Sequence, residues 1–279
     1  MSNDKKIVVI YHMPCQDGFS SAWVLWTKFK DRASYIPYIH GNSPVADFTG
    51  KTIYFCDVVY PMPILKKLMK KNRVIVLDHH ISRKAETESA HEHRYGTDHS
   101  GVGLAWEYFY PKKPIPHLLK LIEEEDLWKF KTKNGKQITA PLKLVPFEFE
   151  AWGKFVRAVQ NPKTRRKIMD QGKVILQYRE ALIRIAVDNA NLVEFEGIKA
   201  YAVSSVLFNS EICNALIKRL PPIGITWTAR AGRLGVSLRS DGTVDVSKLA
   251  AKYGGGGHRQ ASAFNLPLTA KLPWKYIKK

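Results

Sequence analysis

Aspartate and histidine side chains stand directly after several short apolar segments, and they are the candidates for chemistry. They are His12 with Asp17 a few residues later, then Asp57, and then the consecutive Asp78, His79 and His80. Carboxylates gathered in one pocket repel one another, so positive charge must lie among them. Because these short motifs contain no Lys or Arg, divalent cations are the expected partners. Carboxylate and imidazole ligands together favour Mn²⁺, with Mg²⁺, Co²⁺ and Zn²⁺ as alternatives.

A pair of such cations would give the chain hydrolytic chemistry at phosphorus. A carboxylate shared by two cations about 3.5–4 Å apart is the arrangement of two-metal hydrolases. Each residue alone is weak evidence, because an Asp after a strand is more often a helix cap or a loop residue, and a lone His is more often structural. The prediction depends on the whole set, whose members hold equivalent positions at the ends of predicted strands.

The elements that must position these residues alternate between strands and helices, which indicates an α/β domain with a mostly parallel sheet. Apolar runs predict strands at 7–11, 33–39, 52–56 and 73–77. Helices are predicted at 19–29, 63–71 and, with Ser100 as the cap, 100–108. Open parallel sheets bind ligands at the carboxyl ends of their strands. We therefore expect the candidate residues to meet along one sheet edge, with Asp17 in the loop after the first strand.

The second half of the chain predicts a long helix and then a smaller α/β unit. The helix, at 165–189, either joins two domains or packs as an ordinary helix of the first. The smaller unit begins near Gly197, with strands at 199–204, 223–229, 233–239 and 262–265 and helices at 211–219 and 244–252. Arg230-Ala231-Gly232 fits a tight hairpin turn, and a run of four glycines precedes the last strand.

Composition limits the class of protein. The net charge of +19, from 44 Lys+Arg against 25 Asp+Glu, favours an anionic partner, although solubility alone is an alternative reason for it. No apolar stretch approaches the roughly 20 residues of a membrane span, and no signal-peptide pattern is present, so we expect a cytoplasmic protein that does not enter a membrane. Three separated cysteines without a CxxC pair predict reduced thiols and no structural zinc site.

The motifs resemble those of the DHH family of phosphoesterases, and they occur in the family's order. The matching residues are His12 with Asp17, then Asp57, then the Asp78-His79-His80 triplet, and finally Asp126. The glycine-rich stretch from Gly254 to His258, preceded by Arg239-Ser240, resembles that of the DHH-associated domain. Together the motifs extend over nearly the whole chain.

The resemblance implies a role for each residue. The implied metal ligands are His12 and Asp57 at one cation, and Asp17, Asp57, His79 and Asp126 at the other, with Asp57 shared. The implied catalytic residues are Asp78, which orients an imidazole, and His80, which faces the scissile phosphate or its leaving oxygen. The implied substrate-binding residues are Arg239, Ser240, Gly255, Gly256 and His258. The implied architecture is a DHH catalytic domain at 1–160, a helical linker at 161–195 and a smaller substrate-binding α/β domain at 196–279, with the active site in the cleft.

The chain departs from the family at the first motif, which usually carries two aspartates. Cys15 stands where the first of them is expected. A thiolate is a softer ligand than a carboxylate and favours Zn²⁺, Fe²⁺ or Co²⁺ over Mg²⁺. Cys15 is therefore a metal ligand that shifts metal preference, a thiol beside a weakened site, or a buried packing residue.

Three functions follow as alternatives. The first is a two-metal phosphodiester hydrolase, an exonuclease or nanoRNase that acts on short single-stranded RNA or DNA. Trp128 or Phe130 could stack a base of that substrate, although both are equally expected in a core. The second is a cyclic dinucleotide phosphodiesterase with the same centre, and the third is an inactive nucleotide-binding protein. We expect an anionic substrate and either a monomer or a homodimer.

Overall fold

The computed structural model describes residues 5–39, 42–45, 47–230 and 232–277, and the chain divides into two compact units. Unit 1 is Met1–Leu176 and unit 2 is Gln177–Lys279. The boundary lies inside the long helix, which the structure has at Pro162–Asp188. Among the described residues, no helix combines the length and the apolar character that a bilayer-spanning segment requires.

Unit 1 contains a five-stranded sheet in which every neighbouring pair of strands is parallel. The strands are β1 (Ile7–His12), β2 (Ala33–Tyr38), β3 (Thr52–Cys56), β4 (Arg73–Asp78) and β5 (Glu92–Tyr95). Their order is β2-β1-β3-β4-β5, so β1, β3 and β4 lie at the centre. The predicted α/β class with a mostly parallel sheet is confirmed, and the central strands are the continuous apolar runs of the sequence.

Helices cover both faces of this sheet. They are α1 (Gln16–Phe29), α2 (Met62–Met69), α3 (Lys84–Glu88), α4 (Gly101–Phe109), α5 (His117–Asp126), α6 (Gly135–Leu142), α7 (Phe149–Gln160) and α8 (Pro162–Asp188). Alternate residues of β1 contribute to two separate cores, with Val8 and Ile10 packed in the core of α2, and Val9 and Tyr11 in that of α1, α4 and α5. Burial on both faces explains why the central strands are apolar at nearly every position.

Two expectations for unit 1 need correction. Helix α1 begins at Gln16, three residues before the predicted start at Phe19, so Asp17 lies in its first turn and not in the preceding loop. A carboxylate in the first turn is favourable because it faces the positive end of the helix dipole. The edge strand β5 was not predicted, since its residues are mostly polar and half-buried.

Unit 2 contains a seven-stranded sheet of order β10-β11-β9-β8-β7-β6-β12. The strands are β6 (Asn191–Phe195), β7 (Ile198–Ser204), β8 (Ile223–Arg230), β9 (Arg233–Ser240), β10 (Gly256–His258), β11 (Ala261–Pro267) and β12 (Lys275–Tyr276), and the helices are α9 (Asn209–Arg219) and α10 (Val246–Ala251). Only β7 and β8 pair in parallel among these neighbours. The predicted hairpin between β8 and β9 is present, with Arg230 opposite Arg233, while Ala231 of its turn lies outside the described residues.

Candidate metal centre

The carboxyl ends of the central strands of unit 1 bring most of the candidate residues together. His12 is the last residue of β1, Asp57 follows β3 directly, and Asp78 ends β4 and is followed by His79 and His80. Two helices complete the set, with Asp17 in the first turn of α1 and Asp126 at the end of α5. The predicted gathering at one sheet edge is therefore what the structure shows.

Asp57 lies at the centre of this arrangement. Its Oδ2 is 3.2 Å from His12 Nδ1, and its Oδ1 is 3.3 Å from His79 Nε2. The two oxygens of one carboxylate therefore face two different imidazoles. Asp57 is 1% exposed, and its φ of +58° places it in the left-handed region, which Asp tolerates better than most residues. Its backbone N–H donates to the Leu77 carbonyl at 2.9 Å, which holds this turn against β4.

Three groups of possible metal ligands share residues at this edge. They are His12 with Cys15 and Asp57, Asp57 with His79 and His80, and Asp17 with His79 and Asp126. Within each group the ligand atoms lie within 4.8 Å of one another. Because Asp57 and His79 each belong to two groups, the positions are contiguous, as a centre with two neighbouring cations requires.

Asp17 is held by helix α4. Its Oδ1 accepts hydrogen bonds from Ser100 Oγ at 2.6 Å and from the backbone N–H of Val102 at 3.1 Å. Its Oδ2 is buried and has no hydrogen-bond partner among the residues that the structure describes. Burial raises the pKa of Asp17, and the nearby charges of Asp57 and Asp126 raise it further. One oxygen of this carboxylate is thus fixed, while the other is available for a cation.

The electrostatics of the cluster follow from its crowded carboxylates. Burial would raise the pKa of Asp57, but contacts with His12 and His79 outweigh it and lower that pKa. Burial would likewise lower the pKa of His79, but Asp57 and Asp126 raise it to about 9. The pKa of Asp126 is raised to about 6 by burial and by the charge of Asp57. The imidazolium of His79 therefore takes the place of a cation among the carboxylates.

The residues fit divalent cations. Asp57 Oδ1 is buried and, although His79 Nε2 lies at ion-pair distance, the two atoms are not aligned for a hydrogen bond. No Lys or Arg among the described residues forms a salt bridge with Asp17, Asp57 or Asp126. Buried carboxylate oxygens without donors, next to imidazoles, are the ligand set expected for Mn²⁺ or a similar ion.

Asp78 holds the following two residues through one of its carboxylate oxygens. Its Oδ1 accepts from the backbone N–H of His79 at 2.8 Å, and it lies 2.7 Å from His80 Nδ1. This pairing fixes the orientation of the His80 ring. Burial would lower the pKa of His80, but Asp78 raises it. Because Nδ1 of His80 is already paired and is 3.9 Å from Asp57 Oδ1, its Nε2 is the atom left for other chemistry.

Cys15 lies beside the first group of ligands. It directly precedes α1, is half-buried, and its sulfur lies within coordination range of His12 and Asp57. Burial raises the pKa of the Cys15 thiol, and the charges of Asp57 and Asp17 add to this effect. In the metal-free centre the thiol is therefore protonated, and a cation must displace that proton before Cys15 can bind it.

The predicted substrate-binding residues lie in unit 2. Arg239 is half-buried on β9, and its Nη2 donates to Ser210 Oγ at 2.7 Å. The Ser240 hydroxyl is buried and donates to the Val244 carbonyl at 2.7 Å, so this hydroxyl already has a partner within its own turn. Gly256 and His258 belong to the exposed strand β10, which pairs with β11. At Gly255 a Cβ would lie 2.4 Å from Phe264 Cβ, so no side chain fits there.

Known proteins resemble both units. A family model described as the DHHA1 domain matches residues 183–273. Uncharacterised protein R106 of Acanthamoeba polyphaga mimivirus is 30% identical, over 94% of this chain and 68% of that protein. The solved DHH domain of a member of a ribosomal protein family matches with TM-score 0.62 at 13% identity, over 98% of this chain and 83% of that one. An exopolyphosphatase-related protein from Bacteroides fragilis matches with TM-score 0.52 at 13% identity, over 96% and 88% of the two chains.

The chain belongs to the DHH family of phosphoesterases. Two residues that shape its metal centre, Ser100 and Gly101, are not predicted for this role by the sequence motifs. Ser100 precedes α4 as predicted, but its hydroxyl donates to Asp17 and not to the helix. At Gly101 a Cβ would lie 2.6 Å from Asp57 Cβ, so only glycine lets α4 approach the carboxylates this closely. The small residues Ser100, Gly101 and Gly103 are the sequence signal for this close packing.

Proposed function

We propose that this DHH protein is a two-metal phosphodiester hydrolase that acts on short single-stranded nucleic acid, as an exonuclease or nanoRNase. The observation that carries the proposal is the placement of Asp57. One of its oxygens faces His12 and the other faces His79, at 3.2 and 3.3 Å. A carboxylate presented in this way is suited to bridging two cations.

The two metal positions offer ligand atoms of different hardness, since only the first includes a thiol. His12, Cys15 and Asp57 would hold one cation. Asp17, His79 and Asp126 would hold the other, together with Asp57, whose Oδ1 is 3.3 Å from His79 Nε2. Bound divalent cations would supply Lewis acidity at a phosphoryl oxygen and neutralise the charge of the substrate. We favour Mn²⁺ because the second position combines carboxylates with an imidazole, while the Cys15 thiol makes Co²⁺ or Zn²⁺ an alternative at the first.

His80 is suited to protonating the leaving oxygen. Its Nδ1 is paired with Asp78 Oδ1 at 2.7 Å, which leaves Nε2 as the atom that can carry a proton towards the substrate. The contact with Asp78 raises the pKa of His80, so the protonated form is populated at higher pH than in a solvent-exposed histidine. Asp78 therefore acts through His80, as a positioning residue.

The role that we assign to unit 2 is to bind a phosphate or the terminal nucleotide. Arg239 offers a guanidinium, and the exposed β10 segment places Gly256 and His258 at the surface of unit 2. Guanidinium groups pair bidentately with phosphate, and glycine allows a phosphate to approach the backbone closely. We expect His258→Ala to weaken substrate binding without changing metal content.

The test is a screen of metals against substrates with two matched variants. Wild-type protein is assayed with Mn²⁺, Mg²⁺, Co²⁺ and Zn²⁺ on an oligonucleotide length series and on cyclic di-AMP. Asp57→Ala should lose both cations and at least about 100-fold of the turnover, because one ligand serves both positions. Asp170→Ala, which removes an exposed carboxylate of α8, should behave as wild type.

The possible outcomes separate the alternatives. Hydrolysis retained by Asp57→Ala would reject the two-metal mechanism. Cleavage of cyclic di-AMP alone would favour the cyclic dinucleotide phosphodiesterase, and oligonucleotide binding without turnover in every metal would favour an inactive nucleotide-binding protein.

A further inference from the structure

A basic surface segment follows the end of helix α5. Residues 127–136, here called the aromatic-lysine loop, connect α5 to the first turn of α6. The loop contains four lysines and no acidic residue, and the lysines are Lys129, Lys131, Lys133 and Lys136. All four are exposed, and none forms a salt bridge with a residue that the structure describes. Their charge is therefore not neutralised by the described part of the protein.

Trp128 distinguishes this loop from an ordinary solvated basic surface. All seven tryptophans lie in the described part of the chain, and Trp128 is the one that is mainly exposed, at 52%. Its φ is +55° and that of Phe130 is +40°, which side chains of this size rarely adopt. A bulky aromatic residue that is both exposed and on strained backbone points to a function outside the core.

Contacts within the loop fix the orientation of the Trp128 ring. The rings of Trp128 and Phe130 meet at a centroid distance of 4.9 Å and an interplanar angle of 72°. The Lys136 ammonium lies 3.7 Å from the centroid of Phe130 and 5.8 Å from that of Trp128. A ring held in this way loses less conformational freedom when a ligand stacks on it.

A buried carboxylate anchors the loop to α5. Glu124 is 7% exposed, and it accepts hydrogen bonds from the backbone N–H of Thr132 at 2.8 Å and from the Thr132 hydroxyl at 2.7 Å. Its carbonyl accepts from the backbone N–H of Lys129 at 2.8 Å. Beside these contacts lies a cavity of about 340 Å³, lined in part by Lys133 and Lys136. Hydrogen bonds therefore hold the loop in place, and two of its lysines line a cavity.

The loop stands next to the candidate metal centre. Asp126, the last residue of α5, has its Oδ2 3.4 Å from His79 Nε2. Trp128 follows two residues later, so its Cα is at most about 7.6 Å from that of Asp126. A substrate whose phosphodiester lies at the centre would bring its neighbouring nucleotide within reach of this ring.

We propose that the aromatic-lysine loop binds single-stranded nucleic acid, with one base stacked on Trp128 and the adjacent phosphates at its lysines. This inference rests on the proposed function and names its substrate class more narrowly. Lysines alone could bind any polyanion. Inorganic polyphosphate, however, has no base that could stack on an exposed aromatic ring. Stacking on an aromatic ring next to basic side chains is how proteins hold single strands without reading their sequence. The preferred substrate therefore has an unpaired base beside the scissile linkage and a phosphate beyond it.

The kinetic test compares Trp128→Ala with Trp128→Phe on a set of RNA trinucleotides, each lacking the base at one position. Trp128→Ala should lose about 5- to 150-fold in kcat/KM on the complete trinucleotide. The loss should vanish on the one abasic substrate that lacks the stacked base, and Trp128→Phe should retain most of the activity. Tyr178→Ala, which removes a 69% exposed ring from α8, should behave as wild type.

The lysines are tested separately by the salt dependence of binding. For Lys131→Gln combined with Lys133→Gln, the slope of log affinity against log salt should become shallower by about 0.7 for each phosphate that the variant no longer neutralises. Equal losses by Trp128→Ala on all abasic substrates and on inorganic polyphosphate would overturn the stacking role. An unchanged slope in the lysine variant would overturn the pairing of these lysines with phosphate.

A binding readout separates this inference from the proposed function. Fluorescence anisotropy of a labelled oligonucleotide reports affinity, and the part of the tryptophan quenching that is lost in Trp128→Phe reports stacking, since the other six tryptophans remain in that variant. Binding that depends on Trp128 without any turnover would contradict the proposed function and support the loop. Turnover that is independent of Trp128 would support the proposed function and contradict the loop.

Discussion

Gly101, the first residue of α4, is the point where a helix backbone comes closest to the buried carboxylates. A Cβ at this position would lie 2.6 Å from Asp57 Cβ and 2.7 Å from Asp17 Oδ2. Ordinary contacts of a Cβ begin at 3.4 Å, so Gly101→Ala requires a displacement of about 0.8 Å. Neither neighbour can swing away, because Asp57 Cβ is next to the backbone and Asp17 is held by Ser100 and Val102.

The size of the effect follows from this displacement. Catalytic groups must be held within about 0.5 Å of their working positions, and a misplacement of about 1 Å costs up to roughly 100-fold in rate. Overpacking of this kind costs about 1–3 kcal/mol of stability, which lowers the Tm by about 2–12 °C for a chain of this size. We therefore expect Gly101→Ala to fold, to bind Mn²⁺ at least about 10-fold more weakly, and to lose about 10- to 100-fold in kcat.

Gly103→Ala is the matched control, two residues along the same helix. Its Cβ would lie 2.6 Å from Glu123 Oε1, the end of a longer side chain that pairs with His99 Nδ1 at 2.7 Å and is not one of the candidate metal ligands. Both variants replace glycine with alanine in the first turn of α4, so their gains in helix propensity, each at most about 1 kcal/mol, largely cancel. Calorimetric titration with Mn²⁺, thermal melting and turnover should show Gly103→Ala close to wild type. If Gly101→Ala binds metal and turns over as well as Gly103→Ala does, the close approach of α4 does not shape the centre.

Two further predictions concern protons and ligand type. In the metal-free centre the pKa of His79 is raised to about 9 and that of Asp126 to about 6, so a cation must displace their protons at lower pH. A raised pKa means that the folded state binds the proton more tightly than the unfolded state does. For His79 the resulting stabilisation is complete below pH 6.5 and is lost as pH rises through about 9. For Asp126 it is complete below pH 3.8 and is lost as pH rises through about 6. Melting with EDTA or with Mn²⁺ should show a metal-induced rise in Tm that grows between about pH 6 and 8.5, and a constant rise would contradict this linkage. Cys15→Asp should shift metal preference from Zn²⁺ and Co²⁺ towards Mg²⁺ and Mn²⁺. Unchanged metal content and rate in that variant would make Cys15 a packing residue.

The central strands of unit 1 were predictable because their signal is local. β1, β3 and β4 are apolar at successive positions, since helices cover both faces of the sheet. The positions of His12, Asp57 and the residues after Asp78 follow directly, because parallel strands bring their carboxyl ends to the same edge. No long-range information was needed to place these residues together.

The remaining features depend on contacts between distant parts of the chain. Ser100 is separated from Asp17 by 83 residues, and only the packing of α4 against α1 brings its hydroxyl to that carboxylate. Strand β5 is polar and at the sheet edge, so its pairing with β4 leaves no apolar pattern. The same holds for β10, where glycines and His258 pair with β11 without burying a side chain. The exposure of Trp128 could not be predicted either, because an aromatic residue that follows a helix can equally well be buried in a core.

The identity of residue 15 can be understood from the charge of the metal-free centre. The pKa of Asp126 is already raised to about 6 because it shares a buried site with Asp57, so a further carboxylate next to Asp57 and Asp17 would be still harder to ionise. The Cys15 thiol avoids that repulsion, because burial and the same two aspartates raise its pKa and keep it neutral until a cation arrives. A thiolate formed there on metal binding would be a softer ligand than a carboxylate. We therefore expect the metal-free centre to fold more easily with Cys15 than with an aspartate at this position, and to bind hard cations such as Mg²⁺ more weakly beside His12.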